Sequence, residues 1–481
     1  MVFSSLFFAF FFLVVCYGCY FFAKTMKARN LILLVFSLIF YAWGGPALVL
    51  LLCLMTFLCW MGGILISLVW DKARKKALCV VTVTVCLAIL FIYKYAGFVL
   101  GFTLPLFGYE GVIPSIALPI GISFYTFQLL SYVVDVYRGE VEAQRKYWLL
   151  LLYASLFHQC IAGPIVRYAD VNHDIENRVL KREEISCGVT RFSVGLAKKA
   201  ILANGCGAIC DKIFSDAQGV PLTADGIAGL SSAAILLACF CYMLQIYLDF
   251  SAYSDMAIGM GLMVGFHYKE NFNYPFIACS VTDFWRRWHI SLSSFFRDYV
   301  YIPLGGNRVS IPRHILNMFA VWALTGIWHG ANWNFILWGL YFFVFLVLEK
   351  YLVKPPKSPS LLVRIPATLL TLTVVFFSFM IFKFTDMASL GQAIAGIFTS
   401  NGNGFSDAQT AADFKNNVFF LIVSALACTP VIPAITKLAA RNPITEKALR
   451  VTATVIPAVL IALSSLALAG DSYNPFMYFR F

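Results

Sequence analysis

Two stretches decide how this chain is read. The first is Asp283-Phe284-Trp285-Arg286-Arg287-Trp288-His289-Ile290-Ser291, and the second is Thr325-Gly326-Ile327-Trp328-His329-Gly330-Ala331-Asn332-Trp333-Asn334. No Asp, Glu, Lys or Arg occurs between Ile315 and Leu348, which puts His329 at membrane depth by position alone. An ionisable side chain there is costly and by default marks a functional site. His289 closes a basic, tryptophan-rich segment of the opposite character.

Working outward, the 481 residues are 60% hydrophobic and 16% aromatic, and only 12% are charged, against roughly a quarter in soluble proteins. The chain reads as an all-α polytopic membrane protein. No polar segment is long enough for a separate soluble domain, so residues 1–481 read as one membrane-embedded domain. The net charge of +12 comes from short basic groups between apolar runs, as the positive-inside rule requires. No basic face with interleaved aromatics appears, which argues against nucleic acid. The 14 cysteines lie mostly within apolar runs, where a free thiol behaves as a small hydrophobe. Cys16 with Cys19 and Cys206 with Cys210 are closely spaced but lack the polar surroundings and further ligands of a redox or metal motif. Residues 2–23 follow no basic n-region and end at Lys24, Lys27 and Arg29. They read as a first span rather than a removable signal.

Residues 30–70 carry no charge and exceed the roughly 20 residues of one span, with a break predicted at Gly44-Gly45-Pro46. Spans follow near 77–100 and 117–136, joined by an outer connection over 101–115. The run 147–166 lies between two basic segments and contains Gly163-Pro164, so it is expected to be re-entrant or broken. Residues 228–249 form a further span, with Asp249 to Asp255 a link to a short apolar piece, 256–266. The basic, aromatic segment 267–314 is placed as broken interfacial helices. A second long charge-free stretch, 315–348, turns at Gly330-Ala331-Asn332, and spans near 365–382, 416–436 and 451–470 complete the chain. The total is about 11 transmembrane helices plus re-entrant and interfacial pieces.

A neutral imidazole at His329 can take a proton from a hydroxyl, work that contributes about 10² to 10⁴ in rate; a histidine bridging two helices is the bland alternative. Trp328, Asn332 and Asn334 lie beside it. Arg286 and Arg287 can hold phosphates by charge-assisted bonds; equally, with Trp285 and Trp288, they read as positive-inside anchors and an aromatic belt. His158, His173, His267 and His314 sit at boundaries where a histidine meets water or headgroups. Asp249 and Asp255 are read as structural partners for arginines, and Pro164 and Arg167 as structural support. No Gly-x-Ser-x-Gly elbow, P-loop or His-Glu-x-x-His spacing occurs, so no metal site is expected and direct transfer between two bound substrates fits best.

These segments also resemble a known family. Asp283 to Ser293, Tyr301-Ile-Pro-Leu-Gly-Gly306 and Gly326-Ile-Trp-His-Gly-Ala-Asn-Trp333 look like the signature of the membrane-bound O-acyltransferases, in particular the bacterial branch that acylates alginate and teichoic acid. Leu118 to Phe127, Ile161 to Tyr168, Tyr247 to Asp255 and Phe476 to Phe481 extend the likeness. The resemblance implies a bundle with a central tunnel and a motif-bearing core over about 118–350, flanked by spans in 1–100 and 361–481. It implies that an acyl group leaves a cytoplasmic thioester, acetyl-CoA or an acyl-carrier thioester, and reaches a hydroxyl of a cell-surface polysaccharide. His329 would be the general base, and His289 would orient substrate or donor. No tightly bound cofactor is implied. The setting would be the bacterial inner membrane, with an extracytoplasmic esterase-like partner protein. Length and extra C-terminal spans favour acetyl over D-alanyl transfer. Outside the resemblance, a transporter or flippase, or a non-catalytic export scaffold, remain the competing classes.

Overall fold

The computed structural model describes residues 2–109, 111, 117–161, 163–353 and 360–470. Part of the 101–115 connection and the terminal stretch Phe476 to Phe481 lie outside them. Every regular element among the described residues is helical, and one isolated bridge joins Ser215 and Pro221. The chain forms two compact units, one of residues 1–192 with 253–270 and one of 193–252 with 271–481.

The first unit begins with a π-helical turn, Phe8–Phe12, and α1 (Leu13–Phe22), followed by α2 (Met26–Ala42), α3 (Pro46–Leu68) and α4 (Lys72–Thr103). The break predicted within 30–70 falls between α2 and α3. Pro46 opens α3 at a position whose missing N–H would have no helical partner in any case. Asp71 caps α4 by accepting from the Arg74 N–H at 2.8 Å. Next comes α5 (Ile122–Arg138), with Thr126, Gln128, Ser131 and Asp135 all buried.

The run 147–166 is broken, as expected, into α6 (Tyr147–Ser155) and α7 (Phe157–Cys160). Gly121, at φ 76°, lets the start of α5 lie against the end of α7: a Cβ there would stand 2.5 Å from the Cys160 carbonyl oxygen. After α8 (Tyr168–Asn177), buried Arg178 donates to the Tyr20 hydroxyl at 2.9 Å and to Asn30 Oδ1 at 2.6 Å, tying α1 to α2. α9 (Arg182–Ala197) follows.

The second unit contains α10 (Asn204–Ile213), α11 (Ala224–Ala228) and the first part of α12 (Ser232–Met263), whose last turns belong to the first unit. Here the structure corrects the sequence reading. Residues 249–255 are not a link but the middle of one unbroken 32-residue helix. Each aspartate has a cation beside it. Asp249 and Lys199, both 2% exposed, are 3.0 Å apart, and Asp255 meets Arg191 at 3.0 Å. Asp255 thus has an arginine partner, as read from the sequence, whereas Asp249 has a lysine instead, and Arg287 bonds Asp283 at 2.9 Å one helical turn away.

The segment 267–314 forms short pieces, α13 (Val281–Arg287), α14 (Ile290–Phe296) and a π-helical turn, Arg297–Tyr301. It leads into α15 (Ile311–His329), α16 (Trp333–Tyr351) and α17 (Leu361–Lys383), then α18 (Met387–Thr399), α19 (Ala408–Ala427), α20 (Val431–Ala439) and α21 (Pro443–Gly470).

Among the described residues, six helices are long and apolar enough to cross a membrane, or seven if the pair α19 and α20, bent by 69°, is one span. Other expected spans are short: α2 and α5 have 17 residues each, below the roughly 20 that cross hydrocarbon upright.

Candidate active site

The site is built on the α15–α16 hairpin in the second unit. Gly326 and Gly339 let the two helices touch backbone to backbone, since a Cβ on Gly326 would stand 2.5 Å from the Phe335 carbonyl oxygen and 3.3 Å from Gly339 Cα. Small residues at such crossings are how apolar helices gain contact where lipid offers no hydrophobic drive. The chain turns at Gly330 to Asn332, leaving His329 as the last residue of α15.

His329 is 6% exposed and enclosed by rings. The centroid of Trp328 lies 4.9 Å away, that of Trp338 4.8 Å and that of Phe382 5.2 Å, the last two nearly perpendicular to the imidazole. Asn334 anchors this wall. Its amide donates to the carbonyls of Ile381 and Phe382, each at 3.2 Å, filling acceptors that the end of α17 leaves open. Trp338 lies four residues on, along the same face of α16.

His289 stands between α13 and α14 with φ 44° and ψ 54°, a left-handed conformation that a non-glycine residue keeps only when its surroundings over-determine it. Asn271 supplies that constraint. Its Oδ1 accepts from the Ser291 N–H at 3.1 Å and the Ser291 hydroxyl at 2.8 Å, and it lies 3.2 Å from His289 Nδ1. Its backbone carbonyl takes the Ile290 N–H at 3.0 Å.

An oxygen that accepts from a backbone N–H can only accept from the imidazole as well, so Nδ1 carries the proton. Nε2 keeps its lone pair, buried and without a hydrogen-bond partner among the described residues. Burial lowers the pKa of His289 to about 3, so the ring is neutral. The Phe250 ring packs edge-on at 4.7 Å, and Trp328 lies 6.0 Å away. One indole thus contacts both histidines.

The arrangement of α13 follows from two caps. Ser280 Oγ accepts from the Asp283 N–H at 3.0 Å. The Glu349 carboxylate, at the end of α16, accepts from the Thr282 N–H and hydroxyl at 2.8 Å each, a favourable place for a negative charge. Trp285 packs on Trp322, Trp338 and Phe342 at 4.6, 5.7 and 5.0 Å. Trp288 packs on Phe284 and Phe379.

Of the residues singled out by sequence, His289, His329, Trp285, Trp288, Trp328 and Asn334 come together. Arg286 is exposed, and Asn332 is half-buried at the start of α16. Asp249 immediately precedes Phe250, whereas Pro164, Arg167 and Asp255 belong to the other unit. Two histidines expected at wet boundaries are buried instead, against tyrosine hydroxyls: His158 Nδ1 meets Tyr268 at 2.7 Å, and His314 lies between Tyr301 and Tyr351 at 2.6 and 2.5 Å.

Sequence reading missed Asn271, Phe250, Trp338 and Phe382. Only Trp338, a tryptophan four residues after Asn334, left a usable signal.

A buried neutral imidazole with a free lone pair, beside a second histidine in an aromatic enclosure, suits proton transfer from a hydroxyl. The chain matches the membrane-bound O-acyltransferase family over residues 38–390, which takes in both histidine segments. It belongs to that family. This membrane-bound O-acyltransferase is 34% identical to a probable alginate O-acetylase of Pseudomonas putida over the whole of both chains. It is 32% identical to a peptidoglycan O-acetyltransferase of Helicobacter pylori, covering 87% of this chain and 84% of that one. To a teichoic acid D-alanyltransferase of Bacillus subtilis it is 29% identical, over 55% of this chain and 67% of that one. The family and the apolar helices make the chain a multi-pass membrane enzyme, and the transporter and scaffold readings give way to O-acyl transfer.

Proposed function

We propose that this O-acyltransferase moves an acetyl group from a cytoplasmic thioester, acetyl-CoA or an acyl-carrier thioester, to hydroxyls of a cell-surface or secreted polysaccharide. It works in the bacterial inner membrane, through the bundle of about 11 spans and the central tunnel that the resemblance implies. His329 is the general base, and His289 orients donor or acceptor with its free Nε2. The observation that carries this reading is the enclosure of His329 by Trp328, Trp338 and Phe382 beside His289. In such water-poor surroundings a base and its substrates interact strongly. Exposed Arg286 is available to donor phosphates, while Arg287 is already engaged by Asp283. The acceptor lies outside, reached directly or through an extracytoplasmic esterase-like partner protein that finishes or receives the transfer. The acetylating relatives match over much more of the chain than the D-alanyl one does, which favours acetyl.

The test is ester-linked acetyl on surface polysaccharide in a deletion strain complemented with wild type or His329→Ala, at equal membrane abundance. Restoration by the wild type alone is expected. Restoration by both sinks the general-base role. If neither changes acetyl but the wild type restores D-alanyl esters, the acyl group is D-alanyl.

A further inference from the structure

Acyl transfer to a hydroxyl passes through a tetrahedral intermediate whose oxygen carries negative charge, and an enzyme stabilises it with donors aimed at that oxygen before reaction. Two residues of the wall around His329 have no donor to spare. The Asn334 amide is held by two carbonyls, and the Phe382 ring carries no donor. Trp338 is different. It is 2% exposed and its ring centre is 4.8 Å from that of His329, yet its buried Nε1–H has no hydrogen-bond partner among the described residues.

Leaving such a donor unmade is costly, and native structures rarely tolerate it without a reason. Trp285 has the same unmade bond, but its ring contacts are with Phe284, Trp322, Trp338 and Phe342 and with neither histidine.

The indole is also held in place. Asn334, four residues before it, is pinned to the end of α17. Gly339, immediately after it, is wedged against Gly326, and Phe342, four residues on, is fully buried. A donor fixed in this way needs no reorganisation when charge develops, which is the source of its effect.

We propose that Trp338 is a catalytic residue whose indole N–H donates to the oxygen of the tetrahedral intermediate formed beside His329. The proposal rests on the reading of His329 as general base. In that step the acceptor oxygen forms a bond to the acyl carbon as its proton passes to His329, and the carbonyl π pair moves onto the oxygen that Trp338 holds. Collapse returns the pair, breaks the carbon–sulfur bond, and the thiolate leaves with the proton from His329.

The decisive replacement is benzothienylalanine at position 338, which keeps the bicyclic shape and puts sulfur where the N–H was; Trp338→Phe is the simpler companion. Each is expressed as full-length chain in the deletion strain, and the initial rate of appearance of ester-linked acyl groups, acetyl or D-alanyl, is read at equal membrane abundance. Both should slow transfer by about 10² to 10³, with the sulfur analogue matching the wild type in thermal midpoint. A sulfur analogue within about threefold of the wild-type rate overturns the proposal, since loss of one such donor costs far more. The His329→Ala arm separates the two readings. If that variant is inactive while the sulfur analogue is active, only the role of Trp338 fails; if His329→Ala is active, both fail.

Discussion

Asn271 Oδ1 accepts from Ser291 and lies 3.2 Å from Nδ1 of His289, fixing the tautomer and leaving Nε2 with its lone pair. Asn271→Ala removes the shorter of the two contacts at Nδ1, where the Ser291 hydroxyl lies 3.5 Å away. Activity should fall by at least about 10-fold, less than the roughly 10² to 10⁴ of a positioned acid or base because the ring itself stays in place. Asn271→Asp, which still accepts from both groups, should retain more. Acyl-ester formation by the two variants at equal abundance checks this; the reverse ranking would show that the tautomer is set elsewhere.

Gly326 and Gly339 predict a steric cost. With Phe335 O and Gly339 Cα already in contact range of any Cβ at 326, Gly326→Ala must push α15 from α16. Overpacking of this kind typically costs about 1–3 kcal/mol. Thermal midpoints in detergent should drop for Gly326→Ala and Gly339→Ala, with activity falling in parallel because His329 and Trp338 are carried by those two helices. An unchanged midpoint in both would mean the helices separate freely.

Lys199 and Asp249, both nearly inaccessible, predict a pattern of single and double changes. Removing one member strands a buried charge, at a cost of about 3–5 kcal/mol, while replacing both with apolar side chains is often neutral or better. Lys199→Met and Asp249→Leu alone should therefore lower membrane abundance and thermal midpoint, and the double variant should recover most of the loss. A double variant as poor as the singles would show that the pair does more than neutralise itself.

Asp407 gives a pH dependence. Hydrogen bonds from the Ser231 and Thr410 hydroxyls and the Thr410 N–H lower its pKa to about 2, against roughly 3.9 in an unfolded chain. A depressed carboxylate pKa stabilises the fold above the unfolded value. That contribution is lost as pH falls from about 4 towards 2. Denaturation midpoints measured across this range should fall less steeply for Asp407→Asn than for the wild type; parallel curves would count against the assignment.

The helical, membrane-embedded character was legible because composition and charge spacing report burial directly. So was the turn between α15 and α16, which Gly330 and the polar Asn332 mark inside an apolar run. His329 stood out as a polar exception in an apolar run, and His289 as the close of a basic, tryptophan-rich segment. What lay hidden depends on contacts distant in sequence. Nothing in the neighbourhood of Asp249 announces Lys199, so an unbroken helix there looked improbable. Asn271 lies 18 residues before the imidazole it meets, inside a segment whose polar residues look alike until it folds. Phe382 is one apolar residue among many in α17. Short helices such as α2 and α5 show the other limit, since hydropathy marks an apolar run without giving its helical length.

The bond from Asn334 to the carbonyls of Ile381 and Phe382 bears on the order in which the protein is made. When the ribosome has released His329, the chain still lacks one wall of its enclosure, and it stays incomplete until α17 has been synthesised and inserted. A nascent chain ending at Tyr351 carries both histidines with the pocket open on the Phe382 side. The wall around His329 is therefore complete only after translation has passed Lys383.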